Sequence, residues 1–316
     1  MREFHIGKND ENQRLDRFLG KAIPLLPASL AQKYIRLKRI KVNGARAQRD
    51  QKLVAGDILQ CYINDEFFES PSEENVYLTI TTPRLKIVYE DENIMLLDKP
   101  AGMLAHADEH EKVNTLVNHM LAYLYQKREW RPREENAFTP ALCNRIDRNT
   151  GGIVVAAKNA EALRILNDKI RDREIAKYYL CIALGRVEPP KGCIECFLRK
   201  DEKSNTVRVY HRPVPEGRSA VTLYQTLRTR GELSLLEVEL LTGRTHQIRA
   251  SMADLGHPLL GDGKYGKLDK QYDRKIQALY SYKLTFCFTT DSGSLAYLNG
   301  KTFQVADVSF VSEYFT

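Results

Sequence analysis

No apolar run in the chain approaches the ~20 residues that a membrane-spanning helix needs, so no membrane partner is expected. The opening stretch, MREFHIGKND, also lacks the apolar segment of a secretory signal. Cysteine is scarce and scattered, with six residues (Cys61, Cys143, Cys181, Cys193, Cys196, Cys287) among 316. That is too thin for a disulfide framework, and the thiols read as reduced in a cytoplasmic protein. CIEC, Cys193 to Cys196, has metal-ligand spacing, but no second Cys or His pair completes four ligands, so no metal is expected. TGRTHQ lacks the full phosphate-loop pattern, and no nucleotide cofactor is implied. There is no internal repeat and no low-complexity tract.

What is present is an ordinary globular chain, 43% hydrophobic, long enough for a small and a large domain. Its net charge of +7 is localised. Residues 1–64 hold 13 Lys and Arg against 6 Asp and Glu, whereas the other 252 residues hold 35 of each. A basic head on a neutral body is the footprint of a chain that meets a polyanion through its N-terminus; a merely solvated basic surface is the bland alternative.

Leu15, Phe18, Leu19 and Ile23 fall on one face of a helix. Ser29 is placed to cap a second, LAQKYIRLKRI, with Leu30, Tyr34, Ile35 and Leu37 on its apolar side. Lys33, Arg36, Lys38, Arg39 and Lys41 cluster around its end, where cations suit the helix dipole and could meet RNA. Asn43-Gly44 is a hairpin turn, and GDILQCYIN reads as a strand. With RLDRFL, RIKVNG and AGDIL, this small α/β unit resembles the S-four-type RNA-binding domain. The acidic stretch beginning DEFFESPSEEN predicts a flexible linker over 65–84.

Beyond it, short β-rich runs outnumber helices without βαβ regularity. That predicts an α+β catalytic domain over 85–316 with a mainly antiparallel sheet. Strands are expected on both sides of Asp91-Glu92-Asn93 and in GGIVVAAK, AKYYLCIALG, AVTLYQTLRT and LSLLEVELLTG, with a helix burying Leu163, Leu166 and Ile170.

Three segments carry the chemistry: NRIDRNTGG, AKYYLCIALG and LLTGRTHQIRASMADLGHPLLGDGKYG. In that order they closely resemble the RluA-type pseudouridine synthases, with Asn144, Ile146 and Asn149 standing where His, Leu and Asp are usual. The resemblance implies the pseudouridine synthase fold and an isomerase that needs no cofactor. Its partner is RNA, large-subunit ribosomal RNA first and transfer RNA as the alternative, and a monomer is the default. It also implies that Asp147 is the nucleophile at the ribose anomeric carbon, Tyr179 the residue for proton transfer and base stacking, and Arg249 the acid's ion-pair partner, with Arg244 next in line.

The residue types suit that reaction. A carboxylate can attack the anomeric carbon or stabilise charge there. A cation within ~4–6 Å keeps it ionised once a base covers it. Flipping the base out of folded RNA costs a few kcal/mol. Arg145 matches the residue that fills the resulting gap, Arg148 is placed to meet backbone or hold its loop, and Lys177 to approach a phosphate. Gly151 and Gly152 allow close backbone approach without a Cβ. In isolation Asp147 could be a surface ion pair, Tyr179 a core tyrosine, and Arg249 a surface residue of a strand. His246 and His257 read as hydrogen-bonded structural residues and Asp262 as ordering its own loop. Two readings compete: a non-catalytic RNA-binding protein, and a hydrolytic N-glycosidase, which would need a second carboxylate at the site.

Overall fold

The computed structural model describes residues 1–316 apart from 69–71, 133, 203, 268–270 and 316. Strand β1 (Arg2–His5) leads into helices α1 (Leu15–Ala22) and α2 (Ala28–Arg36). Strands β2 (Ile40–Val42), β3 (Ala45–Arg46) and β4 (Ile58–Cys61) complete a four-stranded sheet ordered β1-β4-β2-β3. Leu15, Phe18 and Leu19 of α1 pack with Tyr34 and Ile35 of α2 in the core of this unit. Ser29 does not cap α2. The helix begins at Ala28 behind Pro27, whose φ of −58° already suits the turn, and no side chain caps it. It stops at Arg36; Lys38 turns the chain at φ 60°, so Lys38, Arg39 and Lys41 lie past its end. Asn43 and Gly44, at φ 51° and 72°, make the turn between β2 and β3.

The expected linker includes residues 69–71, which lie outside the described residues. On either side its apolar residues are anchored: Phe67 and Phe68 on the first core, Tyr77 and Ile80 in a second.

The second unit contains β5 (Ile87–Glu90), β6 (Ile94–Lys99), α3 (Leu116–Gln126), β7 (Ala141–Leu142), β8 (Gly151–Ala157) and α4 (Ala160–Arg171). It continues through β9 (Ile175–Leu184), β10 (Lys191–Asp201), β11 (Thr206–Tyr210), β12 (Arg218–Arg230), β13 (Leu233–Leu240) and α5 (Gln247–Asp254). It closes with β14 (Leu279–Phe286), β15 (Thr302–Gln304) and α6 (Ser309–Phe315). Its sheet has eleven strands in the order β11-β10-β12-β13-β9-β14-β8-β6-β5, with β15 on β14 and β7 on β8. Neighbours run antiparallel except β14 and β8. This is the α+β architecture with a mainly antiparallel sheet.

Strand β9 lies at the middle and is apolar on both faces. Tyr179, Cys181 and Ala183 enter one core, Leu180 and Ile182 another. Helix α4 is capped by Asn159, whose Oδ1 accepts from Ala162 N at 2.8 Å. Its first turn meets the small unit: Ala160 N donates to Asn9 Oδ1 at 3.1 Å and Arg164 Nη1 to Glu11 O at 3.4 Å. Asn136 Nδ2 adds bonds to His5 O and Asp10 Oδ2.

The parallel junction of β8 with β14 explains the paired glycines. Gly152 has φ +114°, and a Cβ there would lie 2.2 Å from the Ser281 carbonyl oxygen. The close approach is to a neighbouring strand of the same chain. Gly152→Ala is therefore expected to destabilise the protein by about 3 kcal/mol or more, from left-handed strain plus the backbone overlap. Denaturant unfolding measures it; an unchanged midpoint would show that the junction relaxes freely.

Candidate active site

Loop 143–150 joins β7 to β8 and is fixed at several points. Asn144 Oδ1 accepts from Val155 N at 2.8 Å, and Thr150 N donates to Asp147 O at 3.0 Å. Below the loop, Lys99 ends the apolar strand β6 fully buried. Its Nζ donates to the carbonyls of Pro100, Met103 and Arg148 at 3.1, 2.7 and 2.9 Å. Burial pushes this ammonium down to about 8, and the nearby negative charge of Asp147 opposes the shift. Arg148 Nε donates to Gly102 O at 3.1 Å, so this side chain helps hold its own loop.

The opposing wall is the turn after β13 and helix α5. Gln247 pins it, its Nε2 donating to Val221 O and Thr222 Oγ1 and its Oε1 accepting from Thr242 Oγ1 and Arg244 N. His246 adopts φ 51° and starts the helix. Arg249 accordingly sits on a helix and not on a strand, because the left-handed residue turns the chain abruptly.

Only 7% exposed, Arg249 joins two carboxylates. Its Nη1 donates to Asp147 Oδ2 at 2.9 Å, while Nε and Nη2 donate to Asp262 Oδ2 and Oδ1 at 2.7 and 2.9 Å. Asp262 Oδ1 also accepts from Lys264 N at 3.1 Å, so this acid orders its loop as expected and holds Arg249 as well. A second carboxylate is thus present beside the site, but both its oxygens are engaged. Arg244, the other candidate partner for Asp147, instead donates from Nε to Ser219 O at 3.1 Å.

Tyr179 lines the same cleft. Burial pushes its phenol up to about 12, opposed by a hydrogen bond with Ser281, so it is protonated at neutral pH. His246 stands closer to the chemistry than a structural histidine should: Nε2 lies 3.8 Å from Asp147 Oδ2. Its Nδ1 meets the Tyr265 hydroxyl at 2.7 Å, and that hydroxyl accepts from Val207 N at 2.8 Å. The hydroxyl is left to donate to Nδ1, which puts the neutral imidazole's proton on Nε2, facing Asp147. Burial pushes the imidazole below its ordinary value and favours that neutral form. His257 lies elsewhere, with Nδ1 against Leu184 O at 2.9 Å.

The cleft encloses about 1160 Å³, and Arg145, Arg148, Lys177 and Arg244 all line it. Lys33, Arg36, Lys38, Arg39 and Lys41 do not. Arg36 lines a separate groove of about 760 Å³ on the small unit with Arg46 and Arg49. Arg39 lies 5.6 Å over the Tyr34 ring and Lys41 5.3 Å over Tyr62. The sequence reading missed Lys99 and the links from His246 and Asp262. A lysine closing the run IMLLDKP was the available signal for the first.

A wide cleft offering a carboxylate, a phenol and several cations belongs to an enzyme that works on a polyanion. The chain belongs to the RNA pseudouridylate synthase family, whose pattern residues 93–254 match, and within it to the RluA type. It is 32% identical over 289 residues to an RNA pseudouridine synthase of Mycoplasma genitalium, covering 90% of this chain and 88% of that one. Against ribosomal large subunit pseudouridine synthase D of Borreliella burgdorferi it is 30% identical, with 90% and 84% covered. Synthase C of the ribosomal large subunit in Vibrio cholerae is also 30% identical, with 85% and 81% covered. The structure of human RNA pseudouridylate synthase domain containing 4 shares the fold, with TM-score 0.55 and 20% identity over 72% of this chain and 90% of that one. The protein is therefore an isomerase that converts uridine to pseudouridine in RNA.

Removing Arg249 would strand Asp262 in the interior. Arg249→Met is expected to cost about 3–5 kcal/mol in urea unfolding. Asp147→Asn, at a side chain 25% exposed, should cost less than about 1 kcal/mol by the same measurement.

Proposed function

We propose that this enzyme modifies specific uridines of large-subunit ribosomal RNA, with Asp147 as nucleophile, Tyr179 in proton transfer and stacking, and Arg249 as the ion-pair partner of the acid. The observation that carries the reading is the convergence in one cleft of Asp147, bonded to Arg249 at 2.9 Å, with buried Tyr179. Asp147 attacks C1′ and the glycosidic electron pair leaves with N1 of uracil. The base turns, C5 attacks C1′ and expels the carboxylate. C5 then loses its proton and N1 gains one, so nothing is consumed. A phenol near 12 is a poor free base at neutral pH, so Tyr179 acts by relaying that proton and by stacking on the ring.

The ribosomal target draws on the printed names of the two relatives at 30% identity and on the basic N-terminal region. Residues 1–64 form, in this reading, an S-four-type RNA-binding domain, 65–84 connect it, and 85–316 catalyse. Its cations Lys33, Arg36, Lys38, Arg39 and Lys41 meet phosphate, and the groove at Arg36, Arg46 and Arg49 is where a strand would lie.

RNA carrying tritium at C5 of uridine tests the chemistry. Wild type releases label, while Asp147→Asn releases none and still binds RNA; normal turnover by that variant would remove the acid from its role. Free uracil as product would indicate hydrolysis. For the N-terminal groove, Arg36→Glu with Arg46→Glu should weaken RNA binding and flatten its salt dependence by roughly 0.7–0.9 per lost phosphate contact. Binding curves that match wild type at every salt concentration would remove the groove from the interface.

A further inference from the structure

Three cations, Arg173, Lys177 and Arg244, line the cleft together with Tyr179. Lys177 and Tyr179 are two apart on β9, so both project from one face of the strand, about 6.6–6.8 Å from each other. The Lys177 amine borders Gly243, lying 3.7 Å from where a Cβ would stand. Adjacent Arg244 is half-buried, lines the cleft and is tied to the Ser219 carbonyl through Nε. Arg218 opens β12 next to that anchor, and Arg173 follows Asp172, the C-cap of α4, at φ 63°. Burial first, and the like charges of Arg218 and Arg173 second, push the Arg244 guanidinium below its ordinary value. Among the described residues none of the four forms an ion pair; Glu239 lines the same cleft. Like charges that no carboxylate pairs raise the energy of the free protein and favour an incoming anion. A single monoanion would satisfy one pair; four cations, three of them lining one cleft with Tyr179, fit a polymer of phosphates.

We propose that Lys177 and Arg244, extended by Arg173 and Arg218, clamp two successive phosphodiesters of the RNA strand that carries the target uridine. The clamp rests on the reading that the extruded base lies against Tyr179. Lys177 and Arg244 hold the phosphate next to the flipped nucleotide; Arg173 and Arg218 hold the one beyond it. Because these contacts form on binding and persist through the reaction, they act on KM and not on kcat.

The test uses the full-length protein and an unmodified large-subunit ribosomal RNA transcript made with tritiated uridine. Arg173→Gln with Arg218→Gln should raise KM roughly ten-fold or more at ~0.1 M salt and leave kcat within two-fold. The slope of log binding against log salt should fall by about 0.7–0.9, one phosphate contact's worth. Arg173→Lys with Arg218→Lys should restore most of the slope, because a point charge still meets phosphate. Lys191→Gln with Lys275→Gln, exposed and outside the cleft, serves as control. Unchanged KM and slope in the glutamine pair would overturn the clamp, as would a loss of kcat at constant KM. An equal fall in the control would overturn it too, by assigning the effect to net charge. Filter binding of the same transcript is read in parallel. A wild type that released no tritium would thus refute the substrate reading, while the binding slope still decides the clamp.

Discussion

Arg249 between two carboxylates is the interaction on which the cleft depends. Its guanidinium reaches Asp147 with one nitrogen and grips Asp262 with two, and the buried Asp262 sets its direction. A planar fork with fixed angles cannot move toward one acid without leaving the other. The loop after β7 and the loop after α5, 102 residues and 13 residues away from Arg249 in sequence, are therefore brought into a single geometry by one side chain. Lys99 does the same beneath, joining segments 100–103 and 148 through three carbonyls. The acid that faces the cleft is held from both sides by cations that themselves have little freedom.

The cleft has two electrical layers. The inner layer is a hydrogen-bonded cluster of Asp147, Arg249, Asp262, Tyr265 and neutral His246, with two carboxylates to one guanidinium. The outer layer of Arg145, Lys177 and Arg244 is cationic. Inside, the three bonds that fix Arg249 between the carboxylates limit reorganisation during reaction. Outside, unsatisfied charge favours a phosphate chain.

Much of this was legible in the sequence where short-range pattern decides structure. The alternating run in β9, the hairpin at Asn43-Gly44 and the amphipathic α1 follow from local spacing. The three segments that resemble RluA-type synthases named the acid, the phenol and the arginine before any geometry. Local pattern failed where tertiary contacts override it. Pro27 displaced Ser29 as the start of α2, and His246 in a left-handed turn changed a strand into a helix at Arg249. The bond from Asp262 to Arg249 and the role of Lys99 were missed for one reason: the partners are remote or are main-chain carbonyls, and neither leaves a mark in spacing.

Helix α4 touches both the small unit and the cleft. Its N-terminal turn bonds Asn9 and Glu11 of the small unit, and Arg171 at its C-terminal end lines the cleft. Twelve residues at ~1.5 Å each make a strut of about 18 Å. If the small unit meets RNA as proposed, the same strut sets how far apart two grips on one folded RNA stand, and distance joins the bases around one nucleotide as a criterion of target choice.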